Sequence, residues 1–131
     1  MSVVVGYIDT PEGRAALERG KVEARLRDAT LVVAHSRYGD GRSSDGDSVV
    51  VERDLELVDR RLDADRIPHR IRRLTKGQSP GEDLVEILEE EHAELVVIGL
   101  RRRPLTGDPV VGDTAATLLM RSTCPVMCIR A

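Results

Sequence analysis

Three aliphatic runs in this chain show no polar alternation: Val3-Val4-Val5, Leu31-Val32-Val33 and Leu95-Val96-Val97-Ile98. A strand packed on one side alternates apolar and polar positions, so unbroken runs predict strands covered on both faces, the setting of central parallel strands. A further run, Val126-Met127-Cys128-Ile129, closes the chain. Between the runs the spacing becomes helical. Gly13, Leu17, Gly20 and Ala24 recur at intervals of four, three and four, a stripe of mostly small residues that lets a helix lie close against a sheet. Val51, Leu55, Val58 and Leu62 mark a second amphipathic helix, Leu84, Ile87, Leu88 and His92 a third, and Ala115, Leu118, Leu119 and Ser122 a fourth. His69 to Leu74 alternates weakly and carries Arg70, Arg72 and Arg73, which predicts an edge strand guarded by charge. Five strands alternating with four helices predict an α/β domain: a doubly wound, five-stranded parallel sheet with helices on both faces.

The punctuation agrees. Thr10 before Pro11, and Ser79 before Pro80 with Glu82 at the capping-box position, are helix starts. Asp28-Ala29 ends the first helix, and Arg37 to Asp47, almost without apolar residues, reads as a surface loop. The run ending at Ile98 stops at Gly99, and Gly112-Asp113-Thr114 precedes the last helix. The twelve residues from Leu100 to Val111 between them exceed the two to six usual for such connections. A long loop over the carboxyl ends of parallel strands, leading to a helix start with unpaired N–H groups, is where open α/β sheets bind anionic ligands.

Composition narrows the possibilities. A chain of 131 residues is one domain, and a net charge of −3 with two Tyr and no Phe or Trp argues against nucleic-acid binding. The absence of a leader-like segment and of any run near the roughly 20 apolar residues of a membrane helix leads us to expect a cytoplasmic protein with no membrane partner. Cys124 and Cys128, four apart in an apparent strand, are too distant to bridge and are expected as buried, reduced thiols. No histidine and acid have metal-ligand spacing along the sequence. His35 falls near the expected crevice, while His69 and His92 are expected at the surface or core edge.

Gly6-Tyr7, the segment Thr10 to Leu17, Gly77-Gln78-Ser79-Pro80, Glu94 to Gly99, Gly112 thirteen positions after Gly99, and Cys124-Pro125-Val126 together resemble the universal stress protein family over the whole chain. The resemblance implies the strand order 3-2-1-4-5, a homodimer paired through the last strands (Val126, Met127, Cys128, Ile129), and a site for ATP or a related adenine nucleotide. The family holds ATP with Gly-x2-Gly-x9-Gly-Ser/Thr and an Asp ending the first strand. Here Gly99 and Gly112 match, whereas Arg102 replaces the second glycine, Asp113 the hydroxyl residue and Ile8 the Asp, with Asp9 one place later. Carried over, the nucleotide-contacting candidates are Tyr7, Ile8, Asp9, Ala34, Gly99, Arg101, Arg102, Arg103, Gly112, Asp113 and Thr114.

The substitutions pull in opposite directions. Asp113 is expected to cap the last helix and place a carboxylate at the phosphate position. Two charges about 4 Å apart at an effective dielectric near 20 interact by roughly 4 kcal/mol, against about 0.3–1 kcal/mol from the helix terminus. The three arginines either ligate phosphate as bidentate donors or close the site by pairing with Asp108 and Asp113. Asp9 either contacts a ribose hydroxyl or, as a first-turn residue, favours the helix start. Ala34 either borders an adenine or is a small core residue.

Three functions remain: a stress-response module with a degenerate ATP motif and weak or altered nucleotide binding, a nucleotide-independent dimeric interaction protein, and a slow ATPase. The last lacks a clear general base, a P-loop and a nucleophile elbow. A receiver domain, which shares this kind of sheet, would need an acidic pair after the first strand and a phospho-accepting Asp where this chain has Thr75-Lys76.

Overall fold

A computed structural model describes residues 1–35, 45–74 and 79–131. The elements run β1 (Ser2–Tyr7), α1 (Pro11–Arg27), β2 (Thr30–His35), α2 (Asp45–Ala64), β3 (His69–Arg73), α3 (Pro80–Glu90), β4 (Ala93–Gly99), β5 (Arg101–Arg102), β6 (Pro109–Val110), α4 (Asp113–Arg121) and β7 (Val126–Ile129). Five strands form one sheet in the order β3-β2-β1-β4-β7, every neighbouring pair parallel. This is the expected 3-2-1-4-5 order, with β7 as the fifth strand of the sheet. The surplus strands, β5 and β6, pair antiparallel as a hairpin inside the segment Leu100–Val111, which was expected as a plain loop. Of the surface loop expected over Arg37 to Asp47, residues up to 44 lie outside the described set, as do Thr75-Lys76 and Gly77-Gln78, and α2 already begins at Asp45.

Period-two alternation divides the core. Val3, Val5 and Tyr7 of β1 pack with Leu17 and Ala24 of α1 and Leu55, Val58 and Leu62 of α2 on one face. Val4 packs with Leu84, Leu88 and Leu118 of α3 and α4 on the other. Val3, Val4 and Val5 have no exposed surface; burying each such side chain contributes about 1.5–3 kcal/mol. β3 forms one sheet edge, and its arginines meet acids from both layers: Arg73 pairs with Glu52 at 2.6 Å, Arg72 with Glu90 at 2.6 Å, and Arg70 with Glu91. Glu91 is thereby held below the usual carboxylate range, chiefly by the Arg70 hydrogen bond.

The starts of α1 and α3 and the end of α1 follow the expected chemistry, and the end of α3 does not. Thr10 accepts from the Gly13 N–H at 3.0 Å and Ser79 from the Glu82 N–H at 3.3 Å. Asp28 ends α1 in the left-handed region at φ 51°, which Asp tolerates better than most residues. His92 does not extend the apolar face of α3: the helix ends at Glu90, and His92 sits exposed in the turn at φ 50°. Cys124 and Cys128 are free thiols, as expected, but half-buried rather than buried, and Cys124 precedes β7 instead of lying in it.

α1 lies so close to the sheet that two glycines have no room for a side chain. A Cβ on Gly20 would come 2.2 Å from Val5 Cγ2, and one on Gly99 would come 2.4 Å from the Glu12 carbonyl oxygen. Gly20→Ala gains about 0.8–1 kcal/mol of helix propensity but overpacks the core at about 1–3 kcal/mol. We therefore expect a net loss of ~1 kcal/mol from the competing terms. Gly99→Ala meets backbone, which cannot rotate aside, and should lose about 3 kcal/mol. Urea unfolding with an unchanged m-value is the measurement; a variant as stable as wild type would show that α1 stands farther from the sheet.

Candidate functional site

β1 and β4 run side by side to the residue pair Gly6 and Ile98. Beyond it the chain diverges, β1 feeding the α1 layer toward β2 and β4 feeding the hairpin and α4 toward β7. Open α/β sheets bind ligands at such switch points, and a cavity opens here. Its floor is Gly6, Ile98 and Ala34; Thr10, Glu12 and Gly13 of the α1 start form one wall and Leu74, Pro80 and Leu84 the opposite one. The mouth is made by Leu100, Arg101 and Val110 of the hairpin region with Gly112, Thr114 and Ala115 of α4. Mostly apolar walls with a few convergent polar groups are the usual make-up of a small-molecule pocket.

Of the sequence candidates, Tyr7, Ile8, Ala34, Gly99, Arg101, Gly112 and Thr114 border this cavity. Asp9, Arg102, Arg103 and Asp113 do not. The reasons are local. Arg101 opposes Val110 and Arg102 opposes Pro109 in the hairpin. Successive strand side chains point to opposite sides, so one arginine accompanies Val110 over the cavity and the next faces away. Asp9 precedes the N-cap Thr10, so it is not a first-turn residue; it is exposed and pairs with Arg14 at 2.6 Å.

The start of α4 differs from expectation. Gly112, not Asp113, is the N-cap, with extended backbone at φ −80°, ψ −178°, and no side chain caps the helix. Asp113 is the first helical residue and is exposed. The Coulomb penalty for a carboxylate facing phosphate therefore shrinks, because a solvated charge off the cavity is screened. The two motif glycines also have different reasons to be glycine. Gly99 is required by its contact with the α1 backbone, whereas a Cβ on Gly112 would meet only the Arg101 guanidinium, at 3.4 Å. Neither backbone conformation nor packing demands glycine at 112.

Tyr7 turns its ring away from the cavity floor into the α1–α2 layer, where its hydroxyl donates to Asp54 at 2.7 Å. Burial, and then the Asp54 carboxylate, push its phenol above the ordinary value, so Tyr7 is a neutral hydrogen-bond donor. His35 is buried beside it, ring centroids 6.1 Å apart, and is not among the residues that line the cavity. Burial raises the Cys128 thiol, which disfavours the nucleophilic thiolate.

The lining residues that sequence reasoning missed fall into two kinds. Gly6 was accessible, since it pairs in register with Ala34 and shares its face. Glu12, Leu74, Leu84 and Ala115 come from separate elements, and no local pattern announces their convergence.

Comparison with known proteins follows the same lines. Residues 1–130 match the model of the universal stress protein family. A universal stress protein of Mycolicibacterium smegmatis is 33% identical over 128 residues, covering 98% of this chain and 96% of that protein. The solved structure of a universal stress protein from Archaeoglobus fulgidus superposes with a TM-score of 0.81 at 29% identity, covering 98% of each chain. A structure of the universal stress protein from Archaeoglobus fulgidus in complex with dAMP superposes with a TM-score of 0.77 at 27% identity, covering 98% of this chain and 97% of that one. With its strand order, its whole length and its sequence in agreement with these proteins, the chain belongs to the universal stress protein family.

Proposed function

We propose that this protein is a stress-response module that binds an adenine nucleotide, with modest affinity, in the cavity at the ends of β1 and β4. The carrying observation is the α4 start: a helix terminus without a side-chain cap, opening on the cavity through a glycine that packing does not require. Unpaired N–H groups at such a terminus suit a phosphate, and Arg101 adds a guanidinium able to donate two parallel hydrogen bonds to it. The apolar floor at Gly6, Ala34 and Ile98 suits a flat base. The similar protein in complex with dAMP supports the class of ligand. The affinity is modest because Ile8 offers no carboxylate at the end of the first strand and Arg102 replaces the family's second glycine, denying the backbone close approach to phosphates. In this reading Tyr7, Ile8, Ala34, Gly99, Arg101, Gly112 and Thr114 are the contact set, and the site binds rather than hydrolyses. The protein acts as a homodimer paired along β7, an open sheet edge whose four residues are half-buried and whose neighbouring helix exposes Leu119 and Met120. An uncovered apolar edge is a strand-pairing surface.

Calorimetric titration with AMP, dAMP and ATP should show saturable binding of at least one of them. Arg101→Ala should weaken it about tenfold or more, the equivalent of one charge-assisted hydrogen bond. Gly112→Ser supplies a capping hydroxyl, so it should hold or slightly raise stability while weakening binding by occupying the phosphate position. No heat at millimolar concentration of any of the three would discard the nucleotide reading. Light scattering at tens of micromolar should return twice the chain mass; a monomer there removes the β7 dimer.

A further inference from the structure

The end of α2 and the start of β3 hold a second constellation, at the amino end of β3, whereas the cavity lies at the carboxyl ends of the strands. Asp59 and Asp63 lie one helical turn apart on α2, and His69 opens β3. Along the sequence the three have no metal-ligand spacing; the fold joins them, with donor atoms all within 4.8 Å of one another. His69 Nε2 stands 2.6 Å from Asp59 Oδ1 and 3.9 Å from Asp63 Oδ1. Its Nδ1 lies 2.8 Å from the Ile67 carbonyl oxygen. A carbonyl only accepts, so Nδ1 carries a hydrogen, and the neutral ring then aims the Nε2 lone pair at two carboxylates. A lone pair 2.6 Å from a carboxylate oxygen is repulsive unless a positive charge lies between them. A proton or a metal ion can supply that charge. Burial opposes the charged ring, but the Ile67 and Asp59 hydrogen bonds outweigh it and raise the His69 pKa above its ordinary value.

We propose that Asp59, Asp63 and His69 form a surface site for a divalent cation of the zinc type, with one nitrogen and two carboxylate ligands and an open side for water. Three protein ligands plus water is a common zinc arrangement. The 2.6 and 3.9 Å edges bracket the roughly 3.3 Å separation that bonds of ~2.05 Å give at a tetrahedral centre. Rotation of the exposed Asp63 side chain closes the difference. The imidazole is already placed, its side chain only 7% exposed, whereas the Asp59 and Asp63 side chains are 53% and 72% exposed. Its tautomer is set by a backbone carbonyl, as the outer partners of metal-bound histidines usually do.

The backbone between the ligands is fixed as well. Arg66 takes φ 56°, its N–H donates to Asp63 O at 3.0 Å, and the Ile67 N–H donates to Leu62 O at 3.0 Å. These are the paired bonds of a Schellman stop, with Leu62 and Ile67 buried together. Both aspartates also sit in the last two turns of α2, where the helix dipole disfavours carboxylates and favours a cation. Of the cations on the neighbouring elements, Arg70 pairs with Glu91, and Lys21 with Glu18 and Asp65. The charged groups facing the ring are Asp59 and Asp63 from α2, while β2 sets Leu31 beside it. Proton and metal compete for one lone pair, so binding weakens in acid.

The test is titration of the full chain with ZnCl2 at pH 7.5 and 5.5, read by calorimetry and by thermal melting. We expect one ion per chain at pH 7.5, a raised melting temperature, and much weaker binding at pH 5.5. Asp63→Asn, at an exposed position that leaves the fold intact, should weaken binding about tenfold or more, and His69→Gln further still. The double variant Cys124→Ser/Cys128→Ser should bind as wild type. Absence of binding at millimolar zinc overturns the site, as does binding unaffected by Asp63→Asn and His69→Gln or lost with the two cysteines.

Discussion

Everything in this molecule depends on the parallel pairing of β1 with β4. Both strands are aliphatic on both faces, so each satisfies its packing only when helices cover the sheet from either side. Once they pair in parallel, their carboxyl ends must open at the same edge of the sheet, and their connections must leave in opposite directions. The cavity is a geometric consequence of that divergence rather than a separate device.

The close seating of α1 refines the same constraint. Because Gly20 lets the helix approach Val5, the first turn of α1 reaches the end of β4, where Gly99 admits the Glu12 carbonyl. One wall of the cavity is thereby held by contacts with no side-chain freedom. The opposite side differs. The mouth is a two-residue hairpin with exposed arginines and a helix start without a side-chain cap. A rigid wall therefore faces a solvated, polar rim.

The sheet's two edges handle exposure in different ways. β3 carries arginines paired to glutamates of α2, α3 and the turn after α3, and charge of this kind discourages further strand addition. β7 carries Val126, Met127, Cys128 and Ile129 without such protection. The α2–β3 turn near the charged edge gathers His69, its side chain largely covered, with the exposed carboxylates of Asp59 and Asp63.

The five strands of the main sheet, the four helices, their order and the fold class were legible in the residues alone, because they follow from local periodicity and caps: unbroken aliphatic runs, the small-residue stripe of α1, and Thr10 and Ser79 before prolines. Gly99, the long connection and Gly112 likewise marked the end of the sheet at which the cavity opens. Which residues border the cavity was settled by the folded arrangement. Arg101 borders the cavity and Arg102 does not because a two-residue β pairing, too short to leave a pattern, sets their directions. Gly112 rather than Asp113 caps α4 because the chain enters that helix extended, a choice made by the hairpin before it. His69 meets Asp59 and Asp63 because a left-handed turn at Arg66 reverses the chain, and side chains joined by a turn carry no period that a sequence can display.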